Sequence, residues 1–239
     1  MKKVGHVQML FRHPVKAMRG EQLQTCRVDR FGFYGDRSHY FLDESRGGRY
    51  LSADRVPALL GYQATMPNEC GGEQYPPVQV VARDGSVHDW GESLFAHVHK
   101  TVGGPVRPVR STPQEGGKNW EDHILLVTDA SLREIARLAK VEPLDPRRFR
   151  ANLVIALDED APFAEDAWIG KQLRVNDVML KVSKPCDRCM YVNIDPDTLA
   201  INPAVLKACH QHHGNAFGVY ASVVAPGTVS AGDAVFLAE

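Results

Sequence analysis

The sequence lacks long apolar runs, an excess of charge of either sign, and the paired cysteines of a secreted domain. No run of about 18 apolar residues occurs in the 239 residues, so no membrane-spanning helix is expected. The formal net charge is -1, so no overall field attracts nucleic acid or anionic lipid. We therefore expect neither a nucleic-acid partner nor a membrane partner.

The five cysteines are an odd number, and no apolar signal core follows the first residues. They are Cys26, Cys70, Cys186, Cys189 and Cys209. A disulfide framework is therefore not expected, and the predicted location is cytoplasmic. Cys26 and Cys70 lie in no recognisable motif and are interpreted as ordinary buried or surface residues.

Hydrophobicity patterns predict many short strands and few helices. The predicted helices cover residues 52–60, 93–101, 131–140, with Ser131 opening a capping box, and 204–212. A hairpin is predicted around Asn176-Asp177, over residues 173–183. These elements indicate a mixed, β-rich (α+β) fold with two β-barrel-like halves and a few short helices.

The polar stretch 111–123 is the clearest interruption of these patterns, with one proline and two glycines. It is interpreted either as an interdomain linker or as a loop that borders a site. The predicted organisation is a first domain over residues 1–110, this linker or site loop over 111–123, and a second domain over 124–239.

The most informative motif is Cys186-Asp187-Arg188-Cys189, which lies between an alternating strand and the apolar run 190–194. Lys184 and Arg188 flank the cysteines. Nearby positive charge favours the thiolate, which is the form that binds metals or attacks electrophiles. The motif therefore indicates chemistry rather than a purely structural pair of thiols.

Zinc binding is an alternative interpretation of the same cysteines. Cys186 and Cys189 are followed about twenty residues later by Cys209 and three histidines, a spacing that tetrahedral zinc sites use. The histidines are His210, His212 and His213. They are equally compatible with the decorated C-terminal end of a helix, where positive charge is favourable.

Seven short stretches, taken in order, resemble the MOSC family, which is named for the C-terminal domain of molybdenum cofactor sulfurase. They are His13-Pro14-Val15-Lys16, Gly35-Asp36-Arg37, residues 149–155, residues 164–168, residues 184–198, Phe217-Gly218-Val219-Tyr220 and residues 226–233. The first half resembles the β-barrel-like domain that precedes the MOSC domain in the mitochondrial amidoxime reducing component and its bacterial relatives.

The resemblance implies a pterin-based molybdenum cofactor, with Cys189 as the protein ligand of the metal and the catalytic residue. A soft thiolate suits a metal that already carries sulfur ligands. The resemblance also implies that the cofactor and its phosphate contact Lys16, Arg37, Arg150, Asn152, Asp187 and Arg188. The cofactor would then lie where the two halves meet, since Lys16 and Arg37 come from the first half.

Several of these residues also have a structural interpretation. Arg37 could form a salt bridge with Asp36 in its turn, and Asn152 could satisfy backbone groups at the start of a strand. Arg147 and Arg148, which precede Arg150, are interpreted as surface residues. The sequence departs from the family pattern at Ala17 and Asp187, where serine is common, and at Leu199, where glycine is usual.

The resemblance implies an oxidoreductase that reduces small N-hydroxylated compounds. Electrons would come from a separate ferredoxin- or flavoprotein-type partner, because the chain has no iron–sulfur cysteine cluster. The loop 111–123 would border the substrate entrance. The alternative function is a non-catalytic carrier of sulfur or of molybdenum cofactor that uses the Cys189 thiolate.

Overall fold

The computed structural model describes residues 1–68, 72–119 and 121–238, and this part of the chain forms seventeen strands and three α-helices. The first ten strands are β1 Lys2–Arg12, β2 Glu21–Leu23, β3 Thr25–Asp29, β4 Gly32–Phe33, β5 His39–Asp43, β6 Arg49–Tyr50, β7 Gln63–Thr65, β8 Gln79–Val81, β9 Val87–Asp89 and β10 Val106–Arg110. The others are β11 Ile124–Thr128, β12 Leu153–Leu157, β13 Gln172–Val175, β14 Val178–Asp187, β15 Ala216–Ala225, β16 Gly227–Ser230 and β17 Ala234–Leu237. The helices are α1 Glu92–Val102, α2 Asp129–Ala139 and α3 Ala204–His212.

Seven strands form a closed barrel in the order β12-β11-β15-β14-β13-β17-β1, and β1 pairs with β12 to complete it. Strand β2 extends this sheet beside β1. Gly5 in β1 allows the closure, because a Cβ atom there would lie 2.1 Å from the carbonyl oxygen of Ala156 in β12. The interior is filled by alternating aliphatic side chains such as Val7, Leu126 and Val182.

The remaining strands form three sheets of three strands each: β10-β5-β6, β7-β8-β9 and β16-β3-β4. The β-rich α+β fold with barrel architecture is therefore confirmed. Strand β1 comes from the first half of the chain but pairs with β12 and β17 of the second half. The proposed division at residues 111–123 stays a prediction, and the two halves share one barrel.

Three of the four predicted helices differ from the observed ones. Helix α2 begins at Asp129 because Thr128, three residues before Ser131, is its N-cap and accepts a hydrogen bond from the Ser131 backbone N–H. The segment predicted as a helix over residues 52–60 contains only a 3-10 helix, Pro57–Gly61. Helix α3 has the predicted bounds, and α1 is one residue longer at each end than predicted.

None of the helices in the described part of the chain is long and apolar enough to cross a membrane.

Further 3-10 helices cover Glu44–Arg46, Pro146–Phe149, Ala164–Trp168 and Met190–Asn193. The last of these lies between two hydrophobic cores. Val192 packs in the core beneath α2 and α3, whereas Ile194 packs in the core of the first half. Cys189, the residue that caps the 3-10 helix Met190–Asn193, is thereby held at the boundary of the two halves.

Candidate functional site

The cysteine motif begins at the end of strand β14, and its side chains alternate between buried and exposed positions. Cys186 and Arg188 are buried, whereas Asp187 and Cys189 are exposed. Asp187 is the last residue of β14, and the alternation of buried and exposed side chains continues through Arg188 and Cys189. Cys189 is a free thiol accessible from outside, while the thiol of Cys186 points into the protein.

The two cations that flank the motif have partners other than Cys189. Lys184 forms an ion pair with Glu121. Arg188 donates through Nη1 to the sulfur of Cys186 at 2.9 Å and through Nη2 to the carbonyl oxygen of Phe149 at 2.7 Å. The positive charge expected beside Cys189 is therefore directed elsewhere.

Three cationic side chains meet where the halves join. Lys16 donates through Nζ to the carbonyl oxygen of Lys118 at 2.8 Å. Arg37 forms an ion pair with Asp36 and donates through Nη2 to the carbonyl oxygen of Arg150 at 3.1 Å. We call Lys16, Arg37 and Arg150 the cationic cluster; two of its members come from the first half and one from the second.

Arg150 connects the cationic cluster to the turn that carries Cys189. Its Nη1 donates to the carbonyl oxygen of Met18 at 2.7 Å. Its guanidinium carbon lies 5.8 Å from the centre of the Tyr191 ring, two residues after Cys189. The cluster and the thiol therefore lie on neighbouring turns.

The turns that present the cluster have unusual backbone conformations. Ala17, Arg37 and Arg150 have φ angles of 72°, 51° and 55°, in the left-handed region that residues with a side chain seldom occupy. Such conformations cost free energy and concentrate at functional sites. They place Lys16, Arg37 and Arg150 where an extended or helical backbone would not.

Burial and mutual repulsion depress the basicity of this cluster. Burial, followed by the charges of Arg37 and Arg150, lowers the pKa of Lys16 to about 7. Burial and the charge of Arg37 lower the pKa of Arg150 to about 10. Burial by itself would raise the pKa of Asp36, but Arg37 and hydrogen bonds from His13 hold it well below its ordinary value. Three basic side chains thus lie close together in a largely buried position, as in a site built for an anion.

A cleft of about 230 Å³ opens beside the cluster. Its lining includes His13, Arg19, Leu60, Arg147, Arg148, Arg150, Tyr191 and Ile194. Burial, with the charge of Arg150, lowers the pKa of His13 to about 3, so its imidazole is neutral. Within the described residues, His13 Nδ1 and Arg148 Nε are buried without a hydrogen-bond partner.

The rim of the cleft is a network of paired charges. Asp197 contacts Arg19 at 3.0 Å and Arg147 at 2.5 Å, which joins the first half to the second. Asp195 contacts Arg148 at 2.7 Å. The interpretation of Arg148 as a surface residue is wrong: only 8% of the residue is exposed, because the 3-10 helix Pro146–Phe149 turns its side chain inward.

Comparison with known proteins identifies the family. The MOSC domain family model matches residues 98–236, and the MOSC N-terminal beta barrel domain model matches residues 4–83. The chain belongs to the MOSC family.

Two kinds of relative are similar to this MOSC protein. It is 33% identical to human mitochondrial amidoxime-reducing component 1, over 99% of this chain and 84% of the relative. It is 40% identical to molybdenum cofactor sulfurase from Drosophila grimshawi, over 70% of this chain but 22% of that longer relative. Among solved structures, the YuaD protein of Bacillus subtilis superposes with a TM-score of 0.52, over 98% of this chain and 95% of that one, at 15% identity, which shows a shared fold.

Asn152 has a clear structural function in this MOSC protein. Its Oδ1 accepts from the backbone N–H of Leu125 at 3.2 Å, and its Nδ2 donates to the carbonyl oxygen of Phe11 at 3.2 Å. The carboxamide thus joins β11 to β1 beside the site. A cofactor contact for Asn152 stays a prediction, as it does for Asp187 and Arg188.

The loop 111–123 is fastened to the first half along the cationic cluster. The backbone N–H of Ser111 donates to Ser38 at 2.8 Å, and that of Lys118 donates to Arg37 at 3.0 Å. A Cβ atom on Gly117 would lie 1.8 Å from the carbonyl oxygen of Asp36, so only glycine permits this approach. The loop therefore forms one wall of the site, and Trp120 within it lies outside the described residues.

The residues considered for zinc are separated by their own contacts. Cys209 is buried in α3, which raises the pKa of its thiol to about 11. His213 contacts Asp166 at 2.7 Å and stacks on Phe163. In residues 1–68, 72–119 and 121–238, no group of three or more His, Cys, Asp or Glu side chains has the geometry of a metal site.

The two cysteines without a motif have different outcomes. Cys26 is fully buried in the barrel core. Cys70 lies outside the described residues.

Proposed function

We propose that this MOSC protein binds a pterin-based molybdenum cofactor between its halves and reduces N-hydroxylated compounds. The observation that carries the proposal is the position of the cationic cluster. Its member Arg150 lies beside the ring of Tyr191, two residues after the exposed thiol of Cys189. Both kinds of relative bear names that refer to amidoxime reduction or to molybdenum cofactor. The chemistry of these residues is what such a cofactor requires.

The residues present fit the group. The phosphate of the cofactor is an anion, and Lys16, Arg37 and Arg150 are basic groups that lie close enough for their charges to lower the pKa of Lys16 and of Arg150. The Nε of Arg148, which has no hydrogen-bond partner within the described residues, offers a further donor in the adjoining cleft. Cys189 supplies a single soft sulfur ligand, which suits a metal that the pterin already holds through sulfur.

Each residue has a distinct task in this proposal. When bound, the cofactor supplies the two-electron chemistry that removes the hydroxyl oxygen of an N-hydroxylated substrate as water. Cys189 holds and tunes the metal through its thiolate. Lys16, Arg37 and Arg150 orient the anionic end, and Lys16 takes up a proton at Nζ as the anion neutralises its neighbours. The wall formed by residues 111–119 limits the access of water from that side.

The proposal includes a separate electron donor of the ferredoxin or flavoprotein type and a cytoplasmic location. Reduction of an amidoxime to an amidine and water consumes two electrons and two protons, and no side chain of this chain supplies those electrons. A purified sample should therefore turn over with an artificial one-electron reductant such as reduced viologen.

A second candidate function is a carrier of sulfur or of molybdenum cofactor. The exposure of Cys189 favours it, since a partner protein must reach the thiol to exchange sulfur. A thiolate at Cys189 would attack the outer sulfur of a donor persulfide, and the donor would leave as its own thiolate. This function needs no electron donor.

Metal and pterin analysis tests the proposal and separates the two functions. The wild-type chain and Cys189→Ala are expressed in a host that makes ample molybdenum cofactor, then assayed for metals, pterin fluorescence and benzamidoxime reduction. We expect near-stoichiometric molybdenum with reductase activity in the wild type, and loss of molybdenum in the variant. Cofactor without activity under reduced viologen would favour the carrier, and absence of both metal and pterin would refute cofactor binding.

A further inference from the structure

We propose that Cys186 and Arg188 form a positioning pair, which fixes the turn carrying Cys189 against the turn carrying Arg150. The pair touches neither substrate nor metal in this account. Its consequence for cofactor retention rests on the proposed function, whereas its effect on the two turns does not.

The side chain of Arg188 joins two segments that are distant in sequence. Its Nη1 contacts the sulfur of Cys186 at 2.9 Å, and its Nη2 contacts the carbonyl oxygen of Phe149 at 2.7 Å. The guanidinium carbon also lies 5.3 Å from the centre of the Phe149 ring. Phe149 directly precedes Arg150, so one buried side chain spans both turns.

The backbone of Arg188 is held from the other side by Asn215. The N–H of Arg188 donates to the carbonyl oxygen of Asn215 at 2.8 Å, and Nδ2 of Asn215 donates to the carbonyl oxygen of Arg188 at 3.0 Å. These two bonds fix the backbone of Arg188 beside Asn215. Cys189 follows immediately, and its position is set by the same contacts.

Cys186 is the side-chain acceptor that makes this burial possible. Arg188 is 9% exposed, and within the described residues it forms no salt bridge with a carboxylate. A buried guanidinium needs acceptors for its N–H groups, and its Nε already has none. The sulfur of Cys186 is therefore one of the two groups that accept from the guanidinium, and the charge of the guanidinium strengthens a contact to this weak acceptor.

Cys186 is buried, with side chains of neighbouring elements around its sulfur. Burial, followed by the proximity of Cys186, raises the pKa of Tyr220 in β15, so its hydroxyl remains protonated beside the sulfur. Cys209 of α3 lies in the same hydrophobic core. The hydroxyl of Tyr220 and the guanidinium of Arg188 therefore both lie beside this buried sulfur.

Hydrogen exchange on the cofactor-free chain tests the pair directly. The full-length protein is expressed in a host that makes no molybdenum cofactor, as wild type, Cys186→Ala, Cys186→Ser and Arg188→Met. We expect Cys186→Ala to accelerate amide exchange at least about tenfold in both segments 148–152 and 189–194, with helix α2 unchanged. Cys186→Ser, which keeps an acceptor, should restore exchange to near the wild-type rate.

Cys209→Ala is the matched control, because it removes a buried sulfur from the same core without touching the guanidinium. It should leave both segments at their wild-type exchange rates relative to α2. The proposal is overturned if Cys186→Ala leaves segment 148–152 unchanged, or if Cys209→Ala accelerates both segments equally. Arg188→Met should match Cys186→Ala, and a variant carrying both changes should exchange no faster than either alone.

The same variants expressed with cofactor report the consequence for binding. We expect the molybdenum content of Cys186→Ala to fall several-fold and that of Cys209→Ala to match the wild type. If no variant or wild type binds molybdenum while the exchange pattern holds, the proposed function fails and the positioning pair stands.

Discussion

Two groups of basic side chains meet beside one cleft, and they differ in the contacts that hold them. On the rim, Arg19, Arg147 and Arg148 all contact the carboxylates of Asp195 and Asp197. In the cationic cluster, Arg37 forms an ion pair with Asp36, and the charges of Arg37 and Arg150 lower the pKa of Lys16. The paired arginines stabilise the fold. In the cationic cluster, a bound anion would relieve the repulsion among the cations.

The largest effects are expected when one arginine is removed from each group. Arg150→Met should abolish retention of the cofactor but change the free energy of unfolding by less than about 1 kcal/mol, because the repulsion it relieves offsets its lost hydrogen bond. Arg148→Met should destabilise the fold by about 2 kcal/mol, since it removes the hydrogen bond from the buried guanidinium to the carboxylate of Asp195. Chemical unfolding and molybdenum analysis of both variants check this. Equal destabilisation by the two variants would contradict the distinction.

The pH dependence of anion binding tests whether Lys16 takes part in binding the anion. The pKa of Lys16 is lowered to about 7 in the free protein, and a bound anion should raise it. Affinity should therefore be greatest below pH 7 and fall by up to about tenfold per pH unit as pH rises above it. Titration of the cofactor-free chain with sulfate, whose charge is constant in this range, measures this. Lys16→Met should bind sulfate more weakly and without this dependence; a wild-type affinity independent of pH would show that Lys16 takes no part.

The variant Asn152→Ala distinguishes two functions of the Asn152 side chain. The structure shows it bonded to backbone groups, whereas the resemblance implies a contact with the cofactor. Asn152→Ala should cost about 2 kcal/mol of unfolding free energy, because it leaves the N–H of Leu125 and the carbonyl of Phe11 buried without a partner. Thermal and chemical unfolding measure the loss. A fully stable variant with reduced cofactor content would instead show that Asn152 acts mainly on the cofactor.

The smallest effect is expected at the exposed end of the rim. Asp197 is about half exposed, with 56% of its side chain accessible, and such ion pairs contribute little in water. Asp197→Asn should therefore lower the unfolding free energy by less than about 1 kcal/mol, and added salt should reduce the difference further. Unfolding at low and high salt checks this. A loss of several kcal/mol would mean that the rim holds the halves together.

Local patterns predicted elements whose signals lie close together in the chain. Helix α3 has its predicted bounds, and the β13–β14 hairpin turns at Asn176-Asp177 as predicted. The start of α2 was placed at Ser131, but Thr128 offers the same kind of hydroxyl one turn earlier. The barrel closure pairs Gly5 with Leu157, and no local signal specifies a partner so distant in sequence.

In the candidate site too, local sequence patterns do not reveal where the arginine side chains lie. Three arginines occur within four residues, yet Arg147 pairs at the rim, Arg148 is buried and Arg150 enters the cluster. The 3-10 helix and the positive φ of Arg150 determine these directions, and composition does not reveal them. The burial of Arg188, by contrast, follows the spacing of the motif: Arg188 lies two residues after Cys186, and both are buried, whereas Cys189 is exposed.

The most direct test of the account is a crystal structure of protein produced with ample cofactor, with anomalous data at the molybdenum edge. The account predicts an anomalous peak bonded to the sulfur of Cys189, with phosphate density against Lys16, Arg37 and Arg150. A molybdenum peak away from Cys189, or pterin bound without contact to the cationic cluster, would contradict it.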